Sequence, residues 1–327
     1  MGDITVIVPC YNGAELLPRC VDSLLGQTVK DLSIIIVNDG STDQTGAVAE
    51  AYAKRCPQVR VMTKSNEGLP QARKSGLAWV DTPYVGFVDS DDWVEPELYE
   101  KLLAALKAGR ADIACAGLFM DWGDHLRPVR QVHPTGSVLS GREAMCSMNR
   151  REDVYPYMWN KLYQAELFRG VNFPHGNFTG EDYVTTVQLL SRAERVAIVN
   201  EPLCHYMQTA SSMSRGGFRP AHKQSYQSYQ QAEKVLIQRY PEFQTEIRSY
   251  LCTEYLSFLV AMSRNKVYDR VMAQEVMVYV RRHLRDYLKA SYVEKRYKVS
   301  ALAAAVNYRV LAGLYRLQAR LYTNKGQ

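Results

Sequence analysis

The sequence predicts an α/β protein with a mostly parallel sheet flanked by helices, followed by an all-helical C-terminal extension. Short apolar runs predict buried strands at residues 4–8, 33–37, 59–63, 84–88 and 112–117. Helical patterns of about a dozen residues separate these runs, as in right-handed β-α-β units. Beyond residue 219 the pattern is helical throughout, with helices predicted at about 221–239, 242–264, 268–290 and 299–322.

Composition places the chain among ordinary globular proteins. Hydrophobic residues make up 46% of its 327 residues and charged residues 23%. The seven cysteines include no CxxC pair and no Cys/His metal spacing, which favours reduced thiols over disulfides or a zinc site. The sequence shows neither a signal-peptide pattern nor the roughly 18 consecutive apolar residues of a spanning helix. We therefore expect the catalytic part to lie in the cytoplasm.

The fourth predicted strand ends in a cluster of carboxylates, Asp89, Asp91 and Asp92. Clustered like charges repel one another unless a cation lies among them. Carboxylate oxygens suit a hard divalent ion such as Mg²⁺ or Mn²⁺, and such an ion suits a phosphate-bearing ligand. The alternative is an acidic turn that only begins the next helix, a position that Pro96 also fits.

Polar residues also follow the first three strands. They are Pro9-Cys10-Tyr11-Asn12, Asn38-Asp39-Gly40 and Lys64-Ser65-Asn66. Ligands of parallel sheets bind beyond the carboxyl ends of the strands, so we expect these clusters to meet Asp89 and Asp91 at one rim. There Asp39 is expected to accept a hydrogen bond from a nucleotide base, with Tyr11 or Pro9 stacked on the ring and a metal at Asp91 against the diphosphate.

Arg73 lies on the helix that follows Asn66-Glu67-Gly68. Its guanidinium is expected to point into the same rim, and the alternative is a solvated helix arginine. The chain contains neither GxGxxG after the first strand nor GxxxxGK[ST]. A dinucleotide fold of the usual kind and a P-loop are therefore not supported.

Together these segments resemble the successive motifs of glycosyltransferase family 2. The matching segments are VIVPCYN at 6–12, VNDGSTD at 37–43, NEG at 66–68 with Ala72 and Arg73, FVDSDD at 87–92, WNKLY at 159–163 and GED at 180–182. The resemblance implies an inverting sugar transferase with the A-type nucleotide-sugar-binding fold. The implied donor site comprises Pro9, Tyr11, Asn12, Asp39, Asn66, Gly68, Arg73, Asp89, Ser90 and Lys161.

The resemblance also assigns the catalytic pair Glu181 and Asp182. Asp182 is then the general base that removes the acceptor hydroxyl's proton during attack on the anomeric carbon. Asp91 and Asp89 would hold Mn²⁺ or Mg²⁺, which stabilises the leaving nucleoside diphosphate. From the residues alone, GED at 180–182 is a helix start with acids in the first turn.

Two positions depart from the family pattern. Thr185 stands where an aromatic residue is usual, and Met207 stands where an arginine is common, in a stretch that continues to Ser212-Met213-Ser214. His205 either replaces that cation, ligates the metal or is structural. The aromatic residues around Lys161 either line the site or anchor the core.

We expect a catalytic domain at residues 1–219, with a nucleotide-sugar-binding half at 1–117 and an acceptor half at 118–219, and a helical region at 220–327. Residues 118–140 have little periodicity and are a candidate acceptor loop.

The last predicted helix is basic and amphipathic. After Glu294 the charged residues are Lys295, Arg296, Lys298, Arg309, Arg316, Arg320 and Lys325, with no acid. One helical stripe comprises Val299, Ala303, Val306, Val310, Leu314, Leu317 and Leu321. This stripe either packs on the helical bundle or lies on an anionic membrane. The resemblance to enzymes that use lipid-linked acceptors favours the membrane.

The sequence thus predicts a metal-dependent inverting glycosyltransferase. We expect it to transfer one sugar from a nucleoside diphosphate sugar, with UDP as the favoured nucleotide, to a surface-polysaccharide or lipid-linked glycan acceptor. The absence of a Gln-x-x-Arg-Trp motif favours single addition. Peripheral attachment to the inner face of the cell membrane is expected, and a nucleic-acid partner is not. The alternatives are a nucleotidyltransferase on a related sheet and a non-catalytic nucleotide-sugar-binding scaffold.

Overall fold

The computed structural model describes residues 2–129, 131–176, 178–208, 217–265 and 267–323, with the backbone alone for residues 318–323. The chain forms two compact units. Unit 1 comprises Met1–Met148, Glu152–Asn177 and Glu181–Thr209, and unit 2 comprises Asn149–Arg151, Phe178–Gly180 and Ala210–Gln327. Ser212-Met213-Ser214 and the side chains of Arg320, Leu321 and Lys325 lie outside the described residues.

The strands of the described residues belong to one sheet in unit 1. In chain order, β1 to β10 are Ile4–Cys10, Leu32–Asp39, Val59–Lys64, Tyr84–Phe87, Trp93–Val94, Ile113–Asp121, Leu126–Pro128, Val138–Ser140, Lys161–Gln164 and Arg195–Met207. The main order is β3-β2-β1-β4-β9-β6-β10-β5, with β7 beside β6 and β8 beside β10. The strands β3, β2, β1 and β4 are parallel, as expected. The α/β fold class is confirmed.

The helices are, in chain order, α1 to α11. They span Leu17–Leu25, Thr45–Arg55, Leu69–Leu77, Leu98–Gly109, Gly141–Arg150, Glu181–Leu190, Ala221–Arg239, Gln244–Arg264, Arg270–Lys289, Lys295–Val306 and Tyr308–Thr323. The single helix predicted at 299–322 is divided at Asn307, whose extended backbone ends α10 before α11 begins. No helix of the described residues is long and apolar enough to cross a membrane.

Strand β9 was not among the strands predicted from the sequence. It lies between β4 and β6 and is antiparallel to both, with Tyr163 opposite Val85 on one side and Ile113 on the other. The WNKLY motif therefore contributes an internal strand of the sheet. The segment 118–140, expected to be irregular, contains the end of β6 and the short strands β7 and β8.

Close packing of α3 against the sheet fixes the position of its side chains. A Cβ added at Gly76 would lie 2.6 Å from Cγ2 of Ile7 in β1, so glycine lets the helix approach the strand. Ile7 belongs to an apolar run that is buried on both faces of the sheet. Arg73, one turn earlier on α3, is thereby held beside the carboxyl ends of the strands.

Candidate active site

The loops after β1 and β2 are joined by hydrogen bonds at the predicted rim. The Asn12 side-chain oxygen accepts from the Thr42 N–H at 2.8 Å, and the Asn12 N–H donates to the Ser41 hydroxyl at 3.0 Å. Tyr11 is 50% exposed, whereas Pro9 is buried within β1. Of the two residues expected to stack on a base, Tyr11 therefore has the accessible ring.

Asp39 ends β2 and is held by donors from the end of β3 and from the loop that follows β3. Its Oδ1 accepts a hydrogen bond from Lys64 Nζ at 3.0 Å, and its Oδ2 accepts one from the Gly68 N–H at 2.8 Å. Gly40 permits this approach, because a Cβ there would lie 2.6 Å from the Asn66 nitrogen. The carboxylate is thus fixed at the rim, where a base N–H is expected to reach it.

Arg73 joins the acids of β4 to the acids of α6. Its side chain is 1% exposed, with Nη2 2.7 Å from Asp89 Oδ1 and Nη1 2.5 Å from Asp182 Oδ1. Glu181 Oε1 lies 3.9 Å from Nη1. The alternative of a solvated arginine is therefore wrong. One buried guanidinium brings together two distant motifs, residues 87–92 and 180–182.

Burial and neighbouring charges both shift the pKa values of Arg73, Asp182 and Glu181. Burial lowers the pKa of Arg73, but Asp182, Asp89 and Glu181 together raise that pKa above its ordinary value. Burial raises the pKa of Asp182, although the Arg73 guanidinium opposes the shift. Burial and the neighbouring Asp182 raise the pKa of Glu181. Because Arg73 is closer to Asp182, Glu181 is the acid of the pair that retains a proton more readily.

Asp91 and Asp92 are the remaining carboxyl groups of the turn after β4. Burial, with Asp89 nearby, raises the pKa of Asp91 to about 6. Burial and Asp91 raise the pKa of Asp92 well above its usual range. Asp92 Oδ1 accepts from the Met207 N–H at 2.8 Å, while its Oδ2 is buried with no hydrogen-bond partner among the described residues. Ser90 lies half-buried between Asp89 and Asp91.

A family model described as "Glycosyl transferase family 2" matches residues 5–180, more than half of the 327-residue chain. The chain belongs to glycosyltransferase family 2. The "Uncharacterized glycosyltransferase EpsJ" of Bacillus subtilis (strain 168) is 31% identical over 265 residues, which cover 79% of this chain and 77% of EpsJ. The prediction of a glycosyltransferase with a nucleotide-sugar donor is confirmed, and the nucleotidyltransferase alternative is not supported.

Two solved structures share the fold of this glycosyltransferase. S. aureus TarS 1-349 in complex with UDP-GlcNAc has a TM-score of 0.72 at 19% identity, covering 97% of this chain and 92% of that chain. The mannosyltransferase PcManGT from Pyrobaculum calidifontis, in complex with GDP-Man and Mn²⁺, has a TM-score of 0.54 at 17% identity, covering 96% of this chain and 87% of that chain.

His205 of the glycosyltransferase faces other carboxylates than the expected metal ligands. Its imidazole is buried, with Nε2 2.9 Å from Glu95 Oε1 and Nδ1 3.3 Å from Asp121 Oδ2. Its ring stacks on Trp93 with 3.4 Å between centroids. Among the described residues, no group of three or more His, Cys, Asp and Glu side chains is arranged to hold a metal ion. This environment favours the structural role for His205.

Lys161 is also placed differently from the expectation of a donor-binding cation. Its side chain is buried in β9, and Nζ donates to the carbonyl oxygens of Tyr155 and Tyr157 and to Asn160 Oδ1 at 2.5 to 2.8 Å. An ammonium group has three N–H donors, and these contacts use all three. The structure therefore gives Lys161 the role of holding residues 155–160, the segment with three aromatic side chains that precedes β9.

The structure shows three contacts at the site that the sequence did not predict. Lys64 pairs with Asp39, and Asp92 binds the backbone of β10. Arg19 Nη2 donates to the carbonyl oxygen of Asp91 at 2.9 Å, which ties α1 to the acidic turn. Lys64 could have been identified as a site residue from the sequence, because it ends β3 and the ends of the parallel strands lie at the rim. The contact of Arg19 had no signal in the local sequence.

Proposed function

We propose that this enzyme is a metal-dependent, inverting glycosyltransferase that transfers a single sugar. The observation that carries the proposal is the bridge from Asp89 through Arg73 to Asp182, with 2.7 Å and 2.5 Å between the paired atoms. It supports a site in which the acids of the donor side lie close to a carboxylate able to act on the acceptor. The donor is a nucleoside diphosphate sugar, with UDP as the first nucleotide to test.

Asp89 and Asp91 are the residues that would hold Mn²⁺ or Mg²⁺. Asp91 is a half-buried carboxylate with a pKa raised to about 6, and no lysine, arginine or histidine of the described chain forms an ion pair with it. Such a group fits a divalent cation. Hard cations in phosphate-binding enzymes often use one or two carboxylates together with substrate phosphates and water. When bound, the ion supplies positive charge for the leaving diphosphate.

Asp182 is proposed as the general base. Its Oδ1 is held by Arg73, so the carboxylate keeps its orientation, and burial raises its pKa toward that of an effective base. The acceptor hydroxyl donates its proton to Asp182 as its oxygen attacks the anomeric carbon. The bond from that carbon to the diphosphate breaks on the opposite side, which inverts the centre. Glu181, whose pKa is raised by burial and by Asp182, lies beside it.

The acceptor is proposed to be a surface-polysaccharide or lipid-linked glycan precursor. With a lipid-linked acceptor, the enzyme would work as a peripheral protein at the inner face of the cell membrane. The exposed apolar and basic residues of α10 and α11 support this location. A non-catalytic scaffold is the competing proposal, and the orientation of the half-buried Asp182 by Arg73 argues against it.

Replacement of the base separates the enzyme from the scaffold. The assay measures hydrolysis of, or sugar transfer from, UDP-, GDP- and dTDP-sugars in the presence of Mn²⁺. Asp182→Asn is expected to lower the turnover number by about 10²- to 10⁴-fold, because the proton acceptor is lost. Asp31→Asn, at an exposed position, serves as the matched control. Unchanged turnover in Asp182→Asn contradicts the assigned base. Activity that survives EDTA contradicts the metal, and a product with retained anomeric configuration contradicts inversion.

A further inference from the structure

The last two helices of unit 2 expose large apolar side chains. In α10 these are Val299, Leu302 and Val306, and in α11 they are Val310, Leu314 and Leu317. Their exposures range from 37% to 68%. Three- and four-residue spacing places the three members of each set on one side of their helix. We call these six side chains the apolar face.

The apolar face is not the surface with which these helices pack on unit 2. In α10 the buried residues are small, Ser300, Ala301 and Ala304, and in α11 they include Leu311 and Ala312. Ser300 Oγ lies 3.0 Å from the Tyr315 hydroxyl, so the two helices meet through their other sides. The amphipathic stripe predicted from the sequence is therefore largely exposed, whereas the alternative required it to be covered by the bundle.

Positive charge borders the apolar face. Lys295 precedes Val299 by four residues and so continues the exposed side of α10. Arg309 and Arg316 are seven residues apart and share one side of α11, next to the apolar residues. No acid occurs after Glu294. Apolar side chains bordered by long basic side chains match the interface of an anionic lipid bilayer, into which basic residues extend toward headgroups.

We propose that the apolar face binds an anionic membrane surface. A second copy of the chain is a poorer occupant, because a symmetric contact through this face would bring its basic residues against their own copies. A bilayer with anionic lipids is complementary in both respects, since it accepts the apolar side chains and attracts the cations. The surface belongs to unit 2, so its binding can be measured separately from the proposed transfer reaction in unit 1.

Flotation of the full chain with vesicles tests the proposal. Vesicles of phosphatidylcholine are compared with vesicles in which about a third of the lipid is phosphatidylglycerol. The wild type is expected to float with the anionic vesicles, and its recovery is expected to fall as salt is added. Val310→Ser/Leu314→Ser/Leu317→Ser and Arg309→Gln/Arg316→Gln should each lower the partition coefficient about tenfold or more.

Leu126→Ser/Val132→Ser removes two exposed apolar side chains from unit 1 and is the matched control, with flotation expected to be unchanged. Far-UV circular dichroism and nucleotide titration show whether each variant is folded. Wild-type protein that stays in the soluble fraction with both vesicles overturns the proposal, as does a serine variant that floats like the wild type. A concentration-dependent dimer lost in the serine variant, without vesicle binding, assigns the face to a second copy instead.

Discussion

A partly buried carboxylate beside another carboxylate destabilises the folded state once it ionises, and Asp91 is such a residue. Burial and Asp89 raise its pKa to about 6 from the ordinary value of 3.8. The protonated form is therefore favoured in the folded chain relative to the unfolded chain. The contribution of protonated Asp91 to the stability of the folded chain is present at acidic pH and is lost as the pH rises from about 4 through about 6. A shift of this size corresponds to about 3 kcal/mol.

Asp91→Asn is expected to raise the melting temperature of the metal-free protein at about pH 7.5, because the partly buried charge is removed. The same change should abolish stabilisation by Mn²⁺, since the variant lacks a ligand carboxylate. Thermal unfolding with Mn²⁺ or EDTA, at about pH 5 and about pH 7.5, measures both effects. Asp31→Asn is the control. A variant that is less stable without metal, or that gains as much from Mn²⁺ as the wild type, contradicts this role of Asp91.

The convergence of Asp39, Asp89 and Arg73 at one rim could be predicted from the sequence. The order of apolar runs indicated parallel strands, and parallel strands place their carboxyl ends on one edge of the sheet. The partners of Lys64 could not be derived in the same way. Its pairing with Asp39 depends on the register between β2 and β3, which places the two residues opposite each other at the ends of these strands.

Strand β9 could not be predicted from its local sequence, although it lies in the middle of the sheet between β4 and β6. Only four residues, Lys161–Gln164, form the strand, and they lack the continuous apolar pattern of β1. Its two neighbours, β4 and β6, are distant in sequence, so only long-range pairing identifies it. The side chain of Lys161 takes its direction from this pairing. Its burial, and hence its structural role, therefore followed from tertiary structure.

Lys161→Met tests this role. The change removes a donor from the carbonyl oxygens of Tyr155 and Tyr157 and from Asn160 Oδ1, and we expect the free energy of unfolding to fall by at least about 2 kcal/mol. Denaturant unfolding measures the loss. Nucleotide affinity, measured by titration of the folded variant with UDP and Mn²⁺, should remain within about twofold of wild type, since no direct contact is removed.

Lys107→Met is the matched control, because this lysine is 54% exposed and pairs with Asp3 at the surface. Its effect on unfolding should be no more than about 0.5 kcal/mol. If Lys161→Met leaves stability unchanged but weakens nucleotide binding about tenfold or more, Lys161 contacts the donor and the structural role is wrong.

Across the whole molecule, the proposed donor residues are confined to unit 1, whereas the apolar face belongs to unit 2. The basic residues after Glu294 lie in unit 2 and contribute to the net charge of +6. Chemistry and surface attachment therefore depend on different parts of the chain. A ligand of one unit is expected to change the stability of that unit first, because ligand binding stabilises the folded state that contains the site.

Amide hydrogen exchange, compared with and without UDP and Mn²⁺, tests whether the nucleotide stabilises unit 1 before unit 2. At a ligand concentration of about 100 times Kd, opening that disrupts the site should cost about 2.7 kcal/mol more than without ligand. Slower exchange is expected in residues 37–43, 64–73 and 87–92, including the Gly68 N–H that donates to Asp39. UDP with EDTA should protect these segments less, because the proposed metal links the diphosphate to Asp89 and Asp91. Equal protection in α8 of unit 2 would show either that the units unfold together or that the nucleotide binds elsewhere.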